Sequence, residues 1–288
     1  MKKIWLLIKT TISSWNSNYA QSMGAALAFY TLFSIAPLIL IVLSITGYVF
    51  GLEAARGEIA AQLQNLMGEE GAKAVQALLQ NVNKPEEGII ASIIGVVLLI
   101  IGATSVFGEL QNSLDRILHA PERVRIKGLF ALLRERLLSF GMILGIGFIL
   151  MVSLVFSAAI AAISQWWLPQ FEEWVMLVNL LDIVFSFMMT TAMFALIYKF
   201  MPSVKIRWGE VWIGAVITAV LFTIGKFLIG LYIGRSAITS GFGAAGSLIA
   251  LLVWVYYSAQ IFLLGAEFTW AYSSIYGSRK VIKTKVVG

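Results

Sequence analysis

The chain has 288 residues, of which 59% are hydrophobic and only 12% charged, with a mean hydropathy of +0.88. Counting glycine in place of tyrosine raises the apolar share to about 65%, against about 45–50% in soluble domains, while the charges are about half the usual quarter. Too few charges remain to cover a water-facing surface, so the composition excludes a soluble domain and places the chain in a bilayer. Cysteine is absent, which removes disulfides, thiolate metal sites and a thiol nucleophile. A net charge of +6 is compatible with nucleic acid or anionic lipid as partner, and the placement of the charges decides between them.

At the N-terminus, Lys2 and Lys3 precede an apolar stretch from Ile4 to Ile8, which Lys9 interrupts before it reaches the length of a signal-peptide core. Ile4, Ile8, Ile12 and Trp15 recur at helical spacing, which predicts an interfacial amphipathic helix over 1–20. Six runs are long enough to cross about 30 Å of hydrocarbon as helices. They cover 27–50, 89–108, 137–163, 175–198, 209–234 and 244–267, and none alternates as a β-barrel strand would. The expected fold is all-α: one polytopic membrane domain of six transmembrane helices, with an extracytoplasmic helical hairpin at 51–88 and a basic cytoplasmic tail at 268–288.

In the first span, Tyr30 and Ser34 lie one turn apart and Pro37 follows, where the missing donor and the ring favour a kink. The 51–88 loop carries six acidic residues and two apolar stripes, Ile59, Leu63, Leu66 and then Ala74, Leu78, Val82, separated by Gly68. Their apolar faces must pack on each other, on the bundle or on an envelope partner. The 109–136 segment mixes charges of both signs around His119, the only histidine. Without a second histidine, a cysteine or carboxylates at ligand spacing there is no metal site, and no phosphate-cradling glycine loop is present. No enzyme activity, cofactor or nucleic-acid partner is expected. Gly141 with Gly145 and Gly230 with Gly234 have a small-residue spacing, and the group from Gly241 to Gly246 permits irregular backbone at the entry to the last span.

Lysine and arginine alternate in density along the connections. Sixteen fall on the side of the N-terminus, the 109–136 and 199–208 loops and the tail, and four on the other side. The positive-inside rule therefore expects both termini in the cytoplasm. Most of the net positive charge becomes a topology signal, with membrane lipid as its partner. Within the spans, Asp182 lies about 10 Å and Lys226 about 12 Å from the outer end, at 1.5 Å per residue. Asn179, Asp182, Ser186 and Thr190 form a polar stripe. Three readings stay open: an ion pair holding two helices, a cavity on a substrate path, or a lysine reaching the surface alone. Tyr256, Gln260 and Glu267 share one face of the last span, where Glu267 either caps the basic inner surface or handles protons or head groups.

Four blocks resemble one family. Ala28 to Leu38 (AFYTLFSIAPL), Glu109 to Leu118 (ELQNSLDRIL), Met201 and Pro202 with Trp208 to Ala215 (WGEVWIGA), and Gly243 to Glu267 are similar to the YihY/virulence factor BrkB family of bacterial inner-membrane proteins. Leu118 stands where that family usually carries an aromatic residue. The resemblance runs from residue 28 to 267 and implies six membrane helices with both ends inside. It also brings the label ribonuclease BN, which a chain without nuclease residues does not support, and an association of some relatives with envelope lipid traffic and serum resistance. Two functions are therefore expected to compete. One is a transporter or flippase for a lipid-like substrate using the Asp182 and Lys226 level, and the other a scaffold recruiting an envelope protein through 51–88. Assembly with further copies of the chain is left open.

Overall fold

Apolar runs of this length bury their own backbone polarity by forming helices, since no other open structure satisfies it in lipid. The computed structural model describes residues 2–51, part of 53–76, 105–120, 152, 175–235 and 245–277, the side chains of Lys2, 36–50 and 175–179 excepted. Among these residues every regular element is a helix. They are α1 (Lys2–Ser17), α2 (Ala20–Phe50), α3 (helical over 105–117), α4 (Val175–Phe200), α5 (Trp208–Arg235) and α6 (Gly246–Ile275). Three stretches, Leu180–Phe200, Trp208–Arg235 and Gly246–Ile275, are long and apolar enough to cross a membrane, and Ala20–Ile35 is a shorter apolar one. The protein is an integral membrane protein.

The runs expected at 89–108 and 137–163 lie outside the described residues except for 105–108 and 152, as do the segments 121–136, 236–244 and 278–288. Gly141 and Gly145 fall in the same gap. Where the helices are described, their ends differ from the apolar runs. α2 begins seven residues before the run at 27, and α6 continues eight residues past Glu267, through Thr269, Ala271, Ser273 and Ser274, all buried. A carboxylate ends a hydropathic run without ending a helix. α2 is unbroken across Pro37, whose side chain lies outside the described ones.

α1 and α2 are joined at Tyr19, which has φ 58°, a left-handed conformation costing an L-residue roughly 1–2 kcal/mol. The Tyr19 N–H donates to Asn16 O, while Tyr19 O accepts from the N–H groups of Ser22 and Met23 and opens α2. Gly51, at φ 89°, follows the last residue of α2, where a left-handed glycine ends a helix without a Cβ clash.

The chain divides into two compact units. Unit 1 comprises 1–15, 114–220 and 264–288, and unit 2 comprises 16–113 and 221–263. Unit 1 is built around the end of α3, the 201–207 turn and the facing ends of α5 and α6. Asp115 accepts from Ser203 twice, from its backbone N–H at 2.6 Å and from its hydroxyl. Lys199 donates to Ile206 O and stands 5.2 Å from the Trp208 ring centre. His119, exposed and at φ 50°, stacks on Trp270 with ring centres 4.8 Å apart.

Unit 2 has a core of Ala28, Val75, Ile229, Ile233, Ala250, Leu251 and Val255. Ile59 and Leu63 pack against it, so described apolar residues of the 51–88 segment face the protein's own helices. Ala72 and Val75 are buried, and neither belongs to the stripe expected from the sequence. Leu66, Ala74, Leu78 and Val82 lie outside the described residues. On the exposed side of this segment Lys73 bonds Glu69 at 2.8 Å, which holds the Glu69 carboxyl below its usual range.

Candidate functional site

One five-residue pattern occurs twice in unit 1, as Gly214-Ala-Val-Ile-Thr218 on α5 and Gly265-Ala-Glu-Phe-Thr269 on α6. Each threonine hydroxyl returns to the carbonyl of the glycine one turn earlier, Thr218 to Gly214 O and Thr269 to Gly265 O, both at 2.8 Å. Each also fills the notch left by the other helix's glycine. A Cβ on Gly214 would overlap Thr269 Oγ1 and lie 2.9 Å from its Cβ, and one on Gly265 would overlap Thr218 Oγ1 and lie 2.9 Å from its Cβ. The two helices thus interlock in opposite directions, backbone close to backbone, as small residues permit in membranes.

Tyr198 on α4 adds a third helix. Its hydroxyl lies 3.0 Å from Thr218 Oγ1, and a Cβ on Gly265 would approach that hydroxyl to 2.6 Å. Thr218 has one hydroxyl proton and gives it to Gly214 O, so Tyr198 is the donor in this pair. Tyr198→Phe removes one buried hydrogen bond without opening a void, and is expected to lower stability by about 1 kcal/mol in a thermal melt in detergent. An unchanged melt would show that the bond contributes nothing.

Two carboxyl groups are buried in the same unit. Glu267 is 0% exposed and sits two residues after Gly265, on the far side of α6 from the notch. That side also carries Trp270, against which His119 stacks. A carboxyl so placed is either protonated or matched by donors or a cation, because lone burial of its charge is far too costly. Glu210, 6% exposed, lies in the first turn of α5, where the helix dipole favours negative charge. Its Oε1 occupies the space that a side chain on Gly277 would need. Ser273 Oγ, also buried, has no hydrogen-bond partner among the described residues. No group of three histidine, aspartate or glutamate side chains that could hold a metal occurs among the described residues.

The residues singled out from the sequence are dispersed. Asp182 is half-buried on α4 in unit 1, among the exposed Leu180, Leu181, Ile183 and Val184. In its stripe Ser186 is exposed, Thr190 donates to Ser186 O at 2.9 Å, and the Asn179 side chain lies outside the described ones. Lys226 is half-buried on α5 in unit 2, beside the exposed Phe227 and Leu228. In the same unit Ser34 is buried and donates to Thr31 O at 3.1 Å, and Tyr30 meets Phe29 edge to face at 5.7 Å. Gln260 reaches α2, donating from Nε2 toward Ala20 O at 3.4 Å and Gln21 O at 3.5 Å. A Cβ on Gly24 would overlap that Nε2, so the glycine makes room for the amide. Gly230 has open space where a Cβ would stand.

Tyr198, Glu210 and the paired glycines were not among the residues singled out. The glycine-threonine spacing was the available signal, but it becomes informative only when two copies are seen to meet.

A family model described as Virulence factor BrkB matches residues 11–285. The chain belongs to this family. Its relatives include a UPF0761 membrane protein of Kangiella koreensis, 25% identical over 92% of this chain and 64% of the relative. Another, from Pseudomonas aeruginosa, is 27% identical over 86% of this chain and 58% of the relative. A third, from Glaesserella parasuis, is 28% identical over 73% of each. The chain thus spans about three fifths of the length of the first two of these curated BrkB relatives. No solved structure matches it.

Proposed function

We propose that this BrkB-family protein is a transporter or flippase of a lipid-like amphipathic envelope substrate. The observation that carries the reading is the placement of ionisable groups within membrane-length apolar helices, Asp182 on α4 and Lys226 on α5, with Glu267 fully buried on α6. Such groups cost at least about 2.5 kcal/mol at a helix centre and mark pathways or relays when retained. Within this reading the chain is a single domain of six spans in the bacterial inner membrane, with both termini cytoplasmic, as the basic residues suggest. Membrane lipid is its partner, any coupling is to an ion gradient, since the sequence has no ATP-binding loop, and it performs no catalysis.

The scaffold alternative is less well supported, because Ile59, Leu63 and Val75 of the 51–88 segment already pack on the core of unit 2. RNA cleavage has no support from a chain with one histidine and no cysteine. Reconstitution into liposomes with a fluorescent lipid accessible to a leaflet-specific quencher tests the proposal. Movement of the lipid between leaflets above that of empty liposomes is expected. No movement under any imposed ion gradient would overturn it.

A further inference from the structure

α1 has two apolar faces, where a helix that only packs on its own protein needs one. Leu7 and Thr11, one turn apart, are buried, and the Thr11 hydroxyl returns to Leu7 O at 2.9 Å. Ile4, Ile8 and Ile12, also at one-turn intervals, are exposed together with Trp5, which is 68% exposed. At about 100° per residue, Lys9 follows Trp5 by one turn and borders this second face. Lys3 and Lys9 are both exposed.

The charge on α1 has one sign, since residues 1–20 carry Lys2, Lys3 and Lys9 and no aspartate or glutamate. Isoleucine and tryptophan bordered by lysine, with no acid, match a surface that is hydrocarbon below and anionic above. Tryptophan beside cations is the usual composition at the head-group level. RNA would match the lysines and leave the isoleucines in water.

We infer that α1 is a two-sided helix, seated on unit 1 through Leu7 and Thr11, whose Ile4/Trp5/Ile8/Ile12 face docks into an anionic lipid leaflet with Lys3 and Lys9 on its head groups. The inference is independent of transport, since a leaflet-docking helix serves a transporter and a scaffold equally.

Because the chain has no cysteine, Trp5→Cys gives a single attachment point for an environment-sensitive fluorophore in the full protein. The labelled protein is placed in nanodiscs of phosphatidylcholine, with or without one third phosphatidylglycerol. The label is expected to shift to the blue, and to be quenched at least twofold more by acyl-chain spin-labelled lipid in the anionic discs, the difference vanishing in K3Q/K9Q. A label at Ser13→Cys, on an exposed polar side of the same helix, is expected to stay water-like throughout. Equal behaviour of the Trp5→Cys label in both lipids would overturn the inference. So would an equal shift at Ser13→Cys, or a response to added single-stranded RNA in place of phosphatidylglycerol.

Discussion

Gly214→Ala is expected to destabilise the protein by about 1–3 kcal/mol, the range for forcing a methyl group into a packed site. The new Cβ would collide with the Thr269 hydroxyl and stand 2.9 Å from Thr269 Cβ, and neither atom belongs to the flexible end of a long side chain. Thr269 is buried, and its hydroxyl is already committed to Gly265 O, so it cannot turn away without giving up that bond. Thr269→Ala alone removes two heavy atoms and is expected to cost about 1 kcal/mol. The double variant restores the room that Gly214→Ala took, so it should be less destabilised than the sum of the singles by about 1–2 kcal/mol. Thermal unfolding of the four proteins in one detergent measures the coupling. Strict additivity would show that the two residues do not meet.

The second large effect concerns Asp182 and Lys226. If these groups serve passage of substrate, Asp182→Asn and Lys226→Met, made separately, should each abolish lipid movement in the reconstituted system while the yield of folded protein is unchanged. Both changes remove charge from a half-buried position with little change in volume, so packing alone predicts a small effect. Equal loss of folded protein in both variants would assign the two residues to holding helices together. Deletion of 58–82 separates the remaining alternative, since a scaffold loses function by that change and keeps it through the two substitutions.

Residue spacing and charge carried the reading of α1 a long way. Ile4, Ile8 and Ile12 do form one line on the helix, and they are exposed together. Trp15, expected on the same line, is half-buried: at about 100° per residue it stands about 20° from Ile4 and about 40° from the buried Thr11, where the two lines meet. The three membrane-length helices α4, α5 and α6 are legible from composition, whereas the end of α6 is not. Hydropathy falls at Glu267, but the helix continues because Thr269 satisfies its hydroxyl within its own turn and the following serines are covered. The Asp115–Ser203 contact joins residues 88 apart in sequence, which no local pattern reports. Gln260 was picked out as a polar residue in a span, but its proximity to Gly24 depends on which helices are neighbours. The same holds for the paired glycine-threonine pattern, each half of which is commonplace alone.

That paired pattern also limits how unit 1 can move. Each threonine hydroxyl returns to a carbonyl of its own helix, so the contact at the two notches owes its hold to shape. Sliding α5 along α6 by less than a full turn, about 5.4 Å, would drive both threonines out of their notches onto neighbouring side chains. The axial register of the pair is therefore stepwise, and thermal motion leaves it on one step. Within unit 1 the stretches 208–220 of α5 and 264–275 of α6 therefore travel together as a single strut.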